Sequence, residues 1–142
     1  MSAVADTSRS LSGLLRSEFD KILLDAPCSG WGVVSRHPDG KWSKTEKDIK
    51  RLSQIQERML DEAVTLLRSG GRLLYVTCTL LKEENQGIIK AVLGRHQVLS
   101  LLNLRDHAPE WCQDLIDEQG FFRTFPHIHN MDGFFAALLE KR

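Results

Sequence analysis

No stretch of this chain is apolar for anything near the roughly 20 residues that a bilayer-crossing helix needs. The start, Met1-Ser2-Ala3-Val4-Ala5-Asp6, lacks the basic segment and long apolar run of a secretory leader. Cysteine is scarce. Three widely spaced residues, an odd number, do not make the framework of a small disulfide-stapled domain. These absences point to a reducing, cytoplasmic setting and no membrane partner. An excess of charge is missing too: 19 Lys and Arg balance 19 Asp and Glu, which removes any argument for nucleic-acid binding from bulk charge. Repeats, low-complexity tracts and obvious linkers are also lacking. What remains is a chain of 142 residues, long enough for one domain with its own core.

Short apolar runs alternate with longer helical patterns, which is the signature of βαβ units and an α/β fold. Ala3–Ala5 reads as the tail of a strand ending at Asp6, and Ser10–Arg16 as a short helix or turn. Lys21–Leu24 is a strand buried on both faces, and the Gly- and Pro-rich Ala26–Trp42 is a long loop. Ser43-Lys44-Thr45-Glu46 reads as a capping box. Behind it Ile49, Leu52, Ile55, Met59, Leu60, Ala63, Leu66 and Leu67 recur at helical spacing, and Gly70-Gly71 is expected to close that helix. Leu73–Val76 follows as a strand, Lys82–Leu93 as a helix and Val98–Leu102 as a strand. Phe121–Phe125 and Phe134–Leu139 are extended runs flanking a turn-rich segment, with Phe134 and Phe135 expected in the core. The stretch Asn103–Gln119 carries no clear pattern.

A helical crossover between Lys21–Leu24 and Leu73–Val76 makes those strands parallel neighbours. Their carboxyl ends then lie side by side, at the edge where open α/β sheets bind ligands. This topology brings Asp25 and Cys28 close to Thr77 and Cys78. Two thiols and one carboxylate at such an edge point to covalent attack on an electrophilic substrate, with Asp25 as proton donor or hydrogen-bond partner of a ring nitrogen. Cys78 precedes an expected helix N-terminus, which favours thiolate, while Glu83 and Glu84 oppose it, so the sign of the net effect stays open. A single cysteine here would read as a small buried hydrophobe; a pair at adjacent strand ends does not.

The segments Leu23-Leu24-Asp25-Ala26-Pro27-Cys28-Ser29-Gly30 and Arg36-His37-Pro38-Asp39-Gly40-Lys41-Trp42 carry a resemblance. So do Gly70-Gly71-Arg72-Leu73-Leu74-Tyr75-Val76-Thr77-Cys78-Thr79, then Glu83-Glu84-Asn85 and Asp132-Gly133-Phe134-Phe135. From about Val4 to the C-terminus the chain resembles the RNA cytosine-C5 methyltransferases of the Sun/Fmu group, the RsmB type. The resemblance implies the C-terminal portion of a Rossmann-like, S-adenosylmethionine-dependent methyltransferase fold, a mostly parallel sheet with an antiparallel final strand. It implies that Cys78 attacks C6 of cytosine, that Cys28 assists breakdown of the adduct, and that Asp25 contacts the cytosine edge beside the cofactor. Asp6, 19 residues before Asp25, matches the family's site for the cofactor's adenine. RNA, ribosomal above all, is the implied partner.

The family's Pro-Gly-Gly-Lys cofactor loop and its ribose-holding acid have no counterpart here, and Thr79-Leu80 stands where Thr-Cys-Ser would continue. Residues 1–142 are therefore expected to be a partial catalytic domain, inactive alone, that self-associates through an unpaired sheet edge. Between Arg36 and Arg51 six Lys or Arg face three Asp or Glu. RNA contact is favoured for Arg36, with His37 and Lys41 as further candidates; the alternative leaves Arg36 solvated and packs Trp42 on the helix start. His127, His129 and Cys112 lack metal-ligand spacing, so no metal is expected. Two other classes stay open: a non-catalytic RNA-binding fragment, and a thiol-redox pair, which would leave Asp25 and the basic loop unexplained.

Overall fold

The computed structural model describes residues 18–34 and 45–142. Strand β1, Phe19–Asp25, is followed by helix α1, Glu46–Leu66, and strand β2, Leu67–Thr77. A 3-10 turn at Lys82–Glu84 leads into helix α2, Gln86–Arg95, and strand β3, Leu99–Leu102. Two 3-10 segments, Leu104–Asp106 and Glu110–Leu115, occupy the stretch whose sequence carried no pattern. The short strand β4, Phe122–Arg123, the one-turn helix α3, Pro126–His129, and the last strand β5, Phe135–Lys141, complete the order.

Among the described residues the strands form one sheet in the order β1-β2-β5-β3, with β4 also beside β5. β1 and β2 are parallel, as the helical crossover requires. β5 runs against β2, β3 and β4. Hence β1, β2 and β3 share one direction, and the final strand is inserted antiparallel between two of them. This is the α/β sheet that the resemblance implies.

The faces of the sheet follow from strand alternation. Leu73 and Tyr75 on β2, with Ala137 and Leu139 on β5, join Met59, Leu60, Ala63 and Val64 of α1 and Ile88, Ile89 and Val92 of α2 in the buried core. Leu74, Val76 and Ala136 instead line an apolar cavity of about 290 Å³ with Leu104, Ile116 and Phe134.

Several local expectations are corrected. The capping box is formed by Thr45 and Asp48, two residues later than Ser43 and Glu46. α1 ends at Leu66, and its C-cap Leu67 is already extended, so Gly70-Gly71 does not close the helix. The glycines lie inside β2, where Gly70 takes φ +73° beside a register shift between β1 and β2. Phe134 falls one residue before β5 and is 39% exposed, while Phe135 is 1% exposed. Lys82–Leu93 is not one helix: its first turn is 3-10 and breaks at Asn85.

Candidate active site

The parallel pairing of β1 and β2 sets Asp25 opposite Val76, and the ladder continues one step further as Ala26 N donates to Val76 O at 3.0 Å. The chains leaving the two strands therefore travel together. Two residues beyond each of those positions stand Cys28 and Cys78, with their Sγ atoms 3.1 Å apart. The amide of Cys78 also donates to Cys28 Sγ at 3.3 Å. Asp25 is exposed at the strand end, and both thiols are half-buried.

The two sulfurs do not titrate alike. The S–H of Cys28, donated to Cys78 and withdrawn from water, pushes the Cys28 thiol far above its ordinary range. The same hydrogen bond, stabilising negative charge on its acceptor, lowers Cys78 to about 7. Burial and the carboxylates of Asp25 and Glu84 act in the opposite direction. The sign that the sequence left open is thus a lowering, and its first cause is the neighbouring thiol. At neutral pH Cys78 is therefore divided between thiol and thiolate, beside a Cys28 that stays a thiol.

A carboxylate holds the loops that carry this pair. Glu84 is fully buried. Its Oε1 accepts from Ser29 N at 2.9 Å and from Gln56 Nε2 at 3.0 Å. Its Oε2 accepts from Ser29 Oγ at 2.5 Å and Thr79 Oγ1 at 3.1 Å. Gln56 Nε2 also donates to Pro27 O at 2.8 Å, so both neighbours of Cys28 are tied down. Asn85 does the same for Cys78: Thr77 Oγ1 donates to Asn85 Oδ1 at 2.5 Å, and Asn85 Nδ2 donates to Thr79 O at 2.9 Å.

Glycine completes the packing. Gly32 N donates to Cys78 O at 3.0 Å, and Gly133 N donates to Gly32 O at 2.7 Å. A Cβ on Gly32 would lie 1.9 Å from Gly133 O and 2.8 Å from Cys78 O, so no other residue fits without moving the backbone. The Asp132-Gly133 motif thereby reaches the cysteine pair through its backbone.

Of the site residues expected from sequence, Asp25, Cys28 and Cys78 converge on one edge. Asp6, Arg36, His37 and Lys41 lie outside the described residues. Glu84, Gln56, Ser29 and Asn85 were not recognised as parts of the site. Gln56 carried a signal, since it is a polar residue inside the apolar stripe of α1 between Ile55 and Met59. A polar side chain at such a position is buried and must find partners.

Residues 2–140 match the sequence profile described as 16S rRNA methyltransferase RsmB/F. The chain belongs to that family. The ribosomal RNA small subunit methyltransferase B of Shewanella oneidensis is 44% identical over 124 residues, which cover 87% of this chain and 27% of that protein. The enzyme of the same name from Escherichia coli O1:K1 is 43% identical over 125 residues, again 27% of its length. The chain thus spans about a quarter of these relatives. Among solved structures, a methyltransferase homolog protein from Pyrococcus horikoshii aligns with TM-score 0.72 at 35% identity, covering 92% of this chain and 42% of that one. NSun6 from Pyrococcus horikoshii, solved with SFG, aligns with TM-score 0.76 at 32% identity, covering 98% of this chain and 34% of that one.

Proposed function

We propose that this chain is the cysteine-bearing part of a catalytic domain that methylates C5 of cytosine in ribosomal RNA, with S-adenosylmethionine as methyl donor. The observation that carries the reading is the thiolate–thiol pair, Cys78 lowered to about 7 by a Cys28 sulfur 3.1 Å away, at the carboxyl ends of two parallel strands. A cytosine ring is electrophilic at C6, and a thiolate present at neutral pH is the group suited to add there.

In this reading Cys78 forms the S–C6 bond, and the displaced electron pair moves into the ring and makes C5 nucleophilic. S-adenosylmethionine, when bound, supplies a sulfonium methyl to C5. Asp25 fits a place between ring and cofactor, because its carboxylate is exposed at the end of β1 and can accept from the amino groups of either. Transfer of the C5 proton to solvent water then re-forms the C5–C6 double bond and expels Cys78 as thiolate. Cys28, held as the protonated neighbour, assists this release by hydrogen-bonding through its S–H to the departing sulfur 3.1 Å away. Arg36, His37 and Lys41, in the basic segment after the Cys28 loop, supply phosphate contacts, and Asp6 serves the adenine.

The test is a chimera in which this chain replaces the matching segment of the Escherichia coli relative, incubated with 16S rRNA and S-adenosylmethionine. Cys28→Ala is expected to accumulate a covalent protein–RNA adduct, and Cys78→Ala to form none. The reverse pattern would exchange the two roles. Absence of adduct and of methyl transfer in the unsubstituted chimera would overturn the reading, and dithiol cycling that needs both cysteines would replace it with redox chemistry.

A further inference from the structure

We propose that Glu84 is a positioning residue: by gripping the Cys28 loop and the Cys78 loop together it sets the distance between the two sulfurs. The inference rests on the reading of Cys78 as the reactive thiolate and adds a residue to which that reading gives no role.

The geometry has three parts. The backbone of Glu84 is fastened to β2, the strand that delivers Cys78, because Tyr75 Oη donates to Glu84 O at 2.8 Å. Its carboxylate takes both donors of Ser29, the residue after Cys28, and the hydroxyl of Thr79, the residue after Cys78. Through Gln56 it is joined to Pro27 O, the carbonyl before Cys28. A single buried carboxylate therefore holds residues on both sides of one cysteine and next to the other. No basic side chain is among these partners, so the arrangement is not a salt bridge maintained for charge pairing. A buried carboxylate is costly to desolvate, and its use at such a place is better explained by what it orients than by net stability.

Charge and position predict opposite signs at Cys78. The groups facing Cys78 are Cys28, Asp25 and Glu84, and the buried Tyr75 beside them is pushed up and stays protonated. As a charge, Glu84 raises Cys78, so neutralising it alone would lower the thiol further. As a clamp, Glu84 maintains the Cys28 hydrogen bond that is the largest cause of the lowering, so loosening it would raise Cys78.

The experiment measures the pH dependence of iodoacetamide alkylation at each cysteine of the intact chain by peptide mass spectrometry, and needs neither RNA nor cofactor. Glu84→Gln keeps the size but places an amide where only acceptors fit. Ser29→Ala keeps the charge and removes one tether, and it decides the matter if Glu84→Gln does not fold. Both are expected to shift the Cys78 midpoint upward by about one pH unit, slowing alkylation at pH 7 by roughly five-fold. A downward or unchanged midpoint in the variants, with Cys78 still the most reactive cysteine of the unsubstituted chain, would overturn the positioning role alone. An unsubstituted Cys78 no more reactive than Cys112 would overturn the proposed function, and this inference with it.

Discussion

The sulfurs of Cys28 and Cys78 share a hydrogen bond across 3.1 Å, although the two residues stand fifty positions apart in the chain. The acid–base properties of each belong to the pair. Removing Cys28 should therefore change the chemistry of Cys78 without touching it. In Cys28→Ala the Cys78 midpoint is expected to rise from about 7 toward the ordinary thiol range. In the unsubstituted chain reactivity persists above that midpoint and fades as pH falls through it. Alkylation of Cys78 at pH 7 should accordingly drop about tenfold in the variant. An unchanged rate would mean that something other than Cys28 stabilises the thiolate.

Gly32 is the tightest point around the pair. In Gly32→Ala the added methyl meets the carbonyls of Gly133 and Cys78, both backbone, so neither can yield by rotating a side chain. The expected loss is about 1–3 kcal/mol, read as a lower urea midpoint. Gly94, in the exposed part of α2, is the internal comparison, because nothing lies within 4 Å of its Cβ position. Gly94→Ala should stabilise by roughly 0.5–1 kcal/mol. If Gly32→Ala were as well tolerated, the close approach would not be a constraint in solution.

The adjacency of Cys28 and Cys78 was legible in the sequence because topology forces it: a helix between two parallel strands leaves their carboxyl ends side by side. The ends of elements were harder to read. Leu66 and Leu67 satisfy both the helical stripe of α1 and the alternation of β2, so the pattern cannot say where one stops. Gly70-Gly71 was then mistaken for the stop, although the pair lies inside β2 at its register shift against β1. The clamping role of Glu84 was hidden for a different reason. In a Lys-Glu-Glu run a carboxylate looks solvated, and only the three-dimensional convergence of Ser29, Gln56 and Thr79 shows why it is buried. Phe134 and Phe135 differ by one residue in register, which is enough to put them on opposite sides of the boundary between surface and core.

Among the described residues β1 pairs with β2 alone, and Leu23 on it is 68% exposed. A strand with open backbone donors and an exposed leucine is a template for pairing with another copy. The chain is expected to self-associate, with light scattering giving a mass above 16.1 kDa that falls with dilution. Leu23→Glu should reduce the association. A monodisperse monomer with a sharp cooperative melt would show that this edge is covered in another way.

Cofactor affinity is the remaining expectation with a sign. The sequence has one Gly-Gly pair, and it belongs to β2, with Gly71 buried against Leu67 and Arg68. It is therefore no cradle for the methionine end of S-adenosylmethionine. Asp25 offers one exposed carboxylate, and the resemblance adds Asp6, which lies outside the described residues. A full site adds backbone donors for the cofactor's carboxylate and an acid for its ribose. Each missing hydrogen bond to a charged group is worth roughly 1.5–3 kcal/mol. Three of them amount to about 4–9 kcal/mol, which carries a micromolar site beyond millimolar. Isothermal titration of the chain with S-adenosylmethionine should accordingly show no saturable binding below about 1 mM. A dissociation constant in the low micromolar range would mean that this chain builds a cofactor site from residues other than Asp6 and Asp25. Binding in the chimera but not in the isolated chain would place the missing donors in the part of the relatives that lies outside the matched segment.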